Sequence, residues 1–149
     1  MPDKETLERA EKDKEEGKSP STQAGEFVRE EMDHIREGKH GAQSTKQAIA
    51  IGLSKARRAG VKLAPPGKGK ASSRTRRQAA RDARKGKSPR RKISRTRSRA
   101  VRGALKREGR GAASKKALSR QARGAAARRS KAARSRSARK AAATRKRNK

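Results

Sequence analysis

The chain has 149 residues, of which 47 are Lys or Arg and 14 are Asp or Glu, so its formal net charge is +33. Hydrophobic residues make up 28% of the sequence and aromatic residues 1%, whereas ordinary globular chains contain about 45–50% apolar residues. This composition excludes an enzyme with a water-excluding pocket, and it predicts a mostly disordered chain whose ordered part is all-α.

The charge is distributed unevenly along the sequence. Residues 1–40 contain 8 basic and 12 acidic side chains, whereas residues 71–149 contain 32 basic and 2 acidic ones. The pattern predicts four segments: an acidic head that is a nascent helix or disordered (1–20), a helical hairpin (21–64), a Pro/Gly linker (65–70) and a basic, low-complexity tail that binds nucleic acid (71–149).

A short helical hairpin is predicted over about residues 22–60. Ser19 before Pro20 is a helix start, and Gly38 suits a left-handed C-cap. Ser44 and Gln47 form a capping box for the second helix, which ends at Gly60. Since so small a unit rarely folds alone, we expect dimerisation or a partner at its apolar face. That face, or the hairpin core, is predicted to comprise Phe27, Val28, Met32, Ile35, Ile49, Leu53, Ala56 and Val61.

The second predicted helix carries a resemblance. Its run Gln47-Ala48-Ile49-Ala50-Ile51-Gly52-Leu53-Ser54, after the Gly-containing turn at 38–41, resembles a small uncharacterised bacterial domain family with a Gln-Ala-Ile-Ala-Ile-x-Leu-Ser helix. The resemblance covers about residues 24–63. It implies a bacterial origin and no particular activity.

Metal and cofactor sites are not expected from the sequence. The chain has no Cys, and its two histidines, His34 and His40, are interpreted as solvated side chains close to Glu31 and Asp33. We therefore predict no metal ligand, no cofactor and no catalytic residue.

The tail is the predicted nucleic-acid-binding segment, and we expect it to become helical on binding. Its segment Lys87-Ser88-Pro89-Arg90-Arg91-Lys92 resembles the minor-groove motif of linker-histone tails, and the composition of the whole tail is similar to theirs. Arg recognises phosphate and guanine edges in a bidentate manner. The predicted contacts are Lys87, Ser88, Pro89, Arg90, Arg91, Lys92, Arg95, Arg97, Arg99, Arg102, Arg120, Arg123, Arg128 and Arg129.

Duplex DNA is the partner that the tail favours, because the tail has no aromatic residue to stack on unpaired bases. The function predicted is that of a non-specific, histone-like, nucleoid-associated protein that neutralises phosphates and bridges or compacts DNA. Two alternatives stay open: an RNA- or ribosome-associated basic protein, and an adaptor that binds a protein and uses the tail only for localisation. No apolar run is long enough to cross a membrane and no signal peptide is evident, so a cytoplasmic, nucleoid-associated location is expected.

Overall fold

The computed structural model describes residues 2–86 and 94–147, and in these ranges the secondary structure is entirely helical. The helices are α1 (Lys4–Glu15), α2 (Pro20–Arg36), α3 (Thr45–Arg58), α4 (Ser73–Lys85), α5 (Arg95–Arg107), a 3₁₀ turn (Gly111–Ala113), α6 (Lys115–Ala127) and α7 (Lys131–Arg147). None of the described helices is long and apolar enough to cross a membrane.

The prediction of a mostly disordered chain is wrong, since 73% of the described structure is helical and the basic tail forms helices without a bound partner. One reason is capping. The hydroxyls of Ser72, Ser94 and Ser130 accept hydrogen bonds from backbone N–H groups three residues later, at 3.1, 3.4 and 3.2 Å. Ala, Arg and Lys, which fill the following turns, have high helix propensity.

The predicted hairpin forms from α2 and α3, and its N-cap serines and C-terminal glycines lie as predicted. The capping box is only half formed, because the Gln47 side chain accepts from the Gln43 N–H, at 2.8 Å, and not from the Ser44 N–H. Ser19 and Ser44 accept hydrogen bonds from the N–H groups of Thr22 and Gln47, at 3.4 and 3.2 Å. After the helices, Gly38 and Gly60 have φ of 79° and 100°. At each end the N–H of the residue after the glycine reaches a carbonyl five residues back, as in a Schellman motif.

Helices α2 and α3 cross closely because small residues face the crossing. A side-chain carbon at Gly52 would lie 2.7 Å from the Cα of Val28 and 2.9 Å from the carbonyl oxygen of Phe27. Ala48, one turn earlier on α3, is fully buried. Close contact between the two backbones therefore compensates for the small number of bulky apolar side chains in the sequence.

Helix α1 completes the core, which the sequence placed in the hairpin alone. Ala10 of α1 is buried with Ala24, Phe27 and Ala56. Leu7, Leu53, Ala59, Val61 and Leu63 pack against these four residues while remaining partly exposed. A hairpin that is too small alone thus gains a third apolar surface from the acidic head.

Several residues of the predicted partner face are buried within this single chain. Phe27 is 1% exposed, Met32 4%, and Ile35 and Ala56 are fully buried. Val28, Ile49, Leu53 and Val61 are partly exposed. Homodimerisation through the hairpin stays a prediction, with these partly exposed residues as the available contacts.

The last turn of α5 and the segment after it pack against the loop that joins α2 and α3. The N–H groups of Gly41 and Ala42 donate to the carbonyls of Leu105 and Gly109, at 2.8 and 3.2 Å. The Thr45 hydroxyl donates to the Ala112 carbonyl at 2.7 Å. A Cβ at position 41 would overlap the Glu108 carbonyl, so this contact requires glycine.

The chain divides into two compact units, Met1–Ser114 and Lys115–Lys149. The first contains α1 to α5 and the 3₁₀ turn. The second contains α6 and α7, in which no described residue is buried. Helix α7 is exposed on almost all sides and presents its side chains to solvent or to a ligand, whereas α6 has a half-buried stripe at Ala117, Leu118, Gln121, Gly124 and Ala125.

Candidate functional site

One face of α5 carries a row of cations. Arg95, Arg99, Arg102 and Lys106 follow one another at spacings of four, three and four residues, which places them on the same side of the helix. With Ser98 and Gly103 they line a shallow surface cavity of about 450 Å³. We call these four side chains the α5 cationic face.

Like charges this close oppose each other. Pairs at i,i+3 and i,i+4 destabilise a helix by about 0.2–0.5 kcal/mol each, and none of the described carboxylates forms an ion pair with the α5 cationic face. The face extends over about 16 Å, at 1.5 Å per residue. An anionic ligand of that length would relieve the repulsion.

The other predicted tail contacts lie on exposed surface. Arg97 is on α5 and points away from the cationic face, Arg120 and Arg123 are on α6, and Arg128 and Arg129 lie between α6 and α7. The guanidinium of Arg129 also donates to the Ala133 carbonyl, at 3.1 Å, and to the Ser137 hydroxyl. The remaining predicted contacts, Lys87, Ser88, Pro89, Arg90, Arg91 and Lys92, lie outside the described residues.

The described tail has almost no internal counter-charge. Residues 94–147 contain 21 Lys and Arg side chains and one carboxylate, Glu108. Within that range the structure shows no ion pair between a basic side chain and a carboxylate. The positive charge is therefore available to a polyanion.

Carboxylates of the acidic head, in contrast, are engaged by cations of the N-terminal helices. Asp13 pairs with Lys18 at 2.8 Å and Glu5 with Arg9 at 3.5 Å, and Arg9 also donates to Glu26 of α2 at 2.7 Å. Consequently these carboxylates are held within α1, α2 and the turn between them.

A buried acid–base cluster lies between α2 and α3. The Lys55 ammonium is 2.8 Å from Glu30 Oε1 and 2.8 Å from Glu31 Oε2, and the two carboxylates are 3% and 1% exposed. Burial by itself would lower the pKa of Lys55 and raise that of Glu30. The ion pairs and hydrogen bonds outweigh burial, so the pKa of Lys55 is raised and that of Glu30 is lowered.

Both histidines belong to the edge of this cluster, so the interpretation of them as solvated side chains is wrong. The side chains of His34 and His40 are only 13% and 15% exposed. His34 contacts Asp3, 31 residues away, and His40 contacts Glu31. No sequence signal points to Asp3, because its position depends on how α1 packs on α2.

Asp82 fixes α4 to α3. Its carboxylate is 2% exposed and accepts hydrogen bonds from Ser54, Arg58 and Gln78 at 2.8, 2.8 and 3.1 Å. Burial alone would raise the pKa of Asp82, but these donors together lower it below its usual value of 3.8. Asp82 and Glu108 are the two acids among 32 basic residues after position 70, and this isolation in the sequence is the signal that could have identified the anchor.

Replacing Asp82 with Asn should make the fold less stable at neutral pH and flatten its acid dependence. A depressed folded-state pKa contributes stability that is present above the unfolded value and is lost as pH falls through the folded value. We expect the substitution to cost about 1–3 kcal/mol at pH 7, the usual contribution of hydrogen bonds to a charged group. Thermal unfolding followed by circular dichroism from pH 7 to pH 2 measures both effects.

The matched control is Glu15→Gln, at an exposed carboxylate of α1. It should change stability by less than about 0.5 kcal/mol. In strong acid the Asp82 variant and the native chain should converge. A constant difference between them at every pH would show that the Asp82 charge is not what anchors α4.

Part of the chain is similar to a known protein family. Residues 14–68 match the model of a family of unknown function, DUF6496. The match covers α2, α3 and the end of α1, so the predicted resemblance of the hairpin to an uncharacterised domain family is confirmed, over a longer span than residues 24–63. The helix motif, the bacterial origin and the linker-histone likeness of the tail stay predictions. Neither the curated proteins nor the solved structures gave a match.

Proposed function

We propose that this protein binds duplex DNA without sequence preference, through the cations of α5, α6 and α7, and acts as a histone-like, nucleoid-associated protein. The observation that carries the proposal is the charge of residues 94–147, where 21 exposed or partly exposed cations face one carboxylate and no ion pair forms in the described structure. Lys/Arg contacts to phosphate release condensed counterions, which gives affinity without reading sequence.

The position of the single aromatic ring supports a duplex over a single strand. Proteins that bind unpaired nucleotides stack bases on exposed aromatic side chains. Phe27 is the only Phe, Tyr or Trp in the chain, and it is 1% exposed in the core of the N-terminal unit. Base stacking on an aromatic side chain would therefore require this core to open.

The dimensions of the α5 cationic face also suit a duplex. Over the roughly 16 Å between its first and last members, duplex DNA presents about ten phosphate charges, at one per 1.7 Å of axis. Four cations projecting from one side of a helix can follow the phosphates along one edge of a groove. The small residues Ser98 and Gly103 between them leave room for phosphate oxygens.

Fluorescence anisotropy tests the proposal. The whole chain is titrated onto a labelled DNA duplex and onto an RNA hairpin of matched length, at several salt concentrations around 150 mM. If about ten cations contact phosphate together, the logarithm of the binding constant should fall with the logarithm of salt concentration with a slope near −9. We expect tighter binding to the DNA.

Three results would contradict the proposal in different ways. A clear RNA preference would favour an RNA- or ribosome-associated protein. A slope shallower than about −4 would mean that few cations meet phosphate at once. Absence of binding to either nucleic acid at 150 mM salt would favour an adaptor in which the N-terminal helices bind a protein.

A further inference from the structure

The two histidines form a cluster with Glu31 and Asp3 in which each ring nitrogen faces an identified oxygen atom. One ligand atom from each of Glu31, His34 and His40 lies within 4.8 Å of the other two. Glu31 comes from the middle of α2, His34 from its last turn, and His40 from the loop before α3. The nucleic-acid-binding proposal makes no use of these residues.

The partners of His40 fix which of its ring nitrogens carries hydrogen. Nδ1 is 3.1 Å from the Gly41 carbonyl oxygen, which can only accept, so Nδ1 holds a proton. Nε2 faces Glu31 Oε1 at 3.2 Å. In the neutral ring Nε2 carries a lone pair that faces the carboxylate oxygen. Two electron-rich atoms at this distance need a proton or a metal ion between them.

His34 has the complementary arrangement. Its Nε2 is 3.0 Å from Asp3 Oδ2, so a proton on Nε2 is held by that carboxylate. This leaves Nδ1 as the lone pair on the side of Glu30, whose Oε1 is 4.0 Å away. A histidine whose second nitrogen donates to a carboxylate or a backbone carbonyl is the usual form of a histidine metal ligand. In His34 the second nitrogen faces the Asp3 carboxylate, and in His40 it faces the Gly41 carbonyl.

Glu31 supplies an oxygen that the protein leaves poorly satisfied. Its carboxylate is 1% exposed, and Lys55 contacts Oε2 while His40 faces Oε1. Neither oxygen receives a well-aligned hydrogen bond from any of the described residues. Buried carboxylates are normally hydrogen-bonded, so Oε1, which faces only a ring nitrogen, can accept an additional electrophilic partner.

The charges of the cluster fit a divalent cation. Asp3, Glu30 and Glu31 contribute three negative charges and Lys55 one positive charge, which leaves −2 with neutral imidazoles. A bound M²⁺ would bring the total to zero.

We propose that Glu31 Oε1, His34 Nδ1 and His40 Nε2 bind a zinc ion, with water in the fourth position. Imidazole nitrogen with one carboxylate oxygen favours Zn²⁺ over Mg²⁺ or Ca²⁺, which prefer all-oxygen sites. Two tetrahedral ligands at about 2.0–2.1 Å from zinc lie about 3.3 Å apart, close to the 3.2 Å between His40 and Glu31. One ring nitrogen of His34 lies within 4.8 Å of the other two ligand atoms, so a small adjustment of the side chains brings in the third ligand.

Calorimetric titration of the whole chain, freed of metal with a chelator, tests the site. We expect one Zn²⁺ per chain and no comparable binding of Mg²⁺. His34→Gln and His40→Gln should each lower the Zn²⁺ affinity at least about tenfold. Asp3→Asn, which keeps all three ligands but weakens the orientation of His34, should lower it about 10- to 100-fold.

A matched control variant is Asp33→Asn. Asp33 is on the same helix, 44% exposed, and pairs with Arg36 rather than with the cluster. This variant should bind Zn²⁺ as the native chain does. Circular dichroism of each variant shows whether α2 and α3 are still folded, and Asp3→Asn tests the site even if a histidine variant fails to fold.

Imidazole NMR gives a second readout that does not depend on affinity. Because His34 and His40 are the two histidines of the chain, every imidazole signal belongs to this cluster. Zn²⁺ should shift Nδ1 of His34 and Nε2 of His40 and leave their other nitrogens protonated. The proposal is overturned if Zn²⁺ moves neither ring, if the histidine variants bind Zn²⁺ as tightly as the native chain, or if both rings are imidazolium at neutral pH and exclude Zn²⁺.

Discussion

Replacing Arg95, Arg99, Arg102 and Lys106 together with Gln is expected to weaken DNA binding about tenfold or more at 150 mM salt and to make its salt dependence shallower by about 3–4 units of log–log slope. Each phosphate contact contributes about 0.9 to the slope on B-DNA, so four lost contacts account for the change. Gln is uncharged, shorter than the replaced side chains, and has a similar helix propensity. Anisotropy titrations at four or five salt concentrations measure the slope directly.

The substitution should not unfold α5. It removes the like-charge pairs of the α5 cationic face, which oppose the helix, and none of the four side chains is buried. We therefore expect unchanged or slightly increased helicity by circular dichroism. Loss of binding with intact helicity assigns the effect to the removed charges.

A control variant separates the effect of where the removed charges lie from the effect of the lower net charge. Lys4, Lys12, Lys46 and Lys62 are exposed, lie outside the tail and form no ion pair in the described structure. Their replacement with Gln lowers the net charge by the same four units. The slope should then change by less than about 1. Equal losses in the two variants would mean that DNA senses only the total charge and that α5 has no special role.

The helix boundaries of the hairpin followed from local chemistry. Ser44 before Gln47, and Gly38 and Gly60 after the last turns, are signals whose geometry depends on neighbours within a few residues. They survive in any tertiary context that keeps the helices. For this reason the part of the chain that matches DUF6496 was predictable at the level of its elements.

The packing around the hairpin was not predictable, because it depends on residues with weak apolar character. Ala112 and Ala113, which lie in the segment predicted to be a basic tail, are buried against the start of α3, with Ala113 fully covered. An alanine adds little to the apolar content of a sequence, so composition gives no sign that it is buried. The structure shows that Gly41 and Thr45 leave a space the size of an alanine side chain. A core built from alanine and ion pairs is therefore not predicted from the positions of large hydrophobic residues.

The two candidate sites also differ in whether the sequence predicts them. The cations of the tail are evident from sequence because exposure requires no partner, and every predicted contact that the structure describes is exposed. The cluster at Glu31 and His40 is not evident, since its members meet through the α2–α3 loop and through the docking of α1. Buried charges need partners from several elements, and those partners are fixed only by the fold.

Replacing Lys55 with Met is expected to destabilise the N-terminal unit by about 3–5 kcal/mol, the largest single-residue effect that we predict. Met has a similar length but no charge, so Glu30 and Glu31 lose the cation that contacts both. Two carboxylates that are 3% and 1% exposed would then be left as uncompensated buried charges. The midpoint of thermal unfolding should fall by about 10 °C or more.

A companion variant tests whether the cost arises from the unpaired charges. Lys55→Met combined with Glu30→Gln and Glu31→Gln keeps the volumes and removes all three charges. Neutral replacement of a buried ion cluster is often close to neutral in stability, so this triple variant should recover most of the loss. The measurements are made with a chelator present, which keeps metal binding to Glu31 out of the comparison.

Lys46→Met on the same helix is the matched single substitution, since Lys46 is exposed and should respond by less than about 0.5 kcal/mol. Similar losses at positions 46 and 55 would show that the ion cluster contributes little to the fold. A triple variant no more stable than Lys55→Met alone would instead assign the loss to packing of the lysine stem. Recovery in the triple variant would establish that Lys55 is required because Glu30 and Glu31 are buried as charges, and that the pairing of α2 and α3 does not itself depend on the three charges.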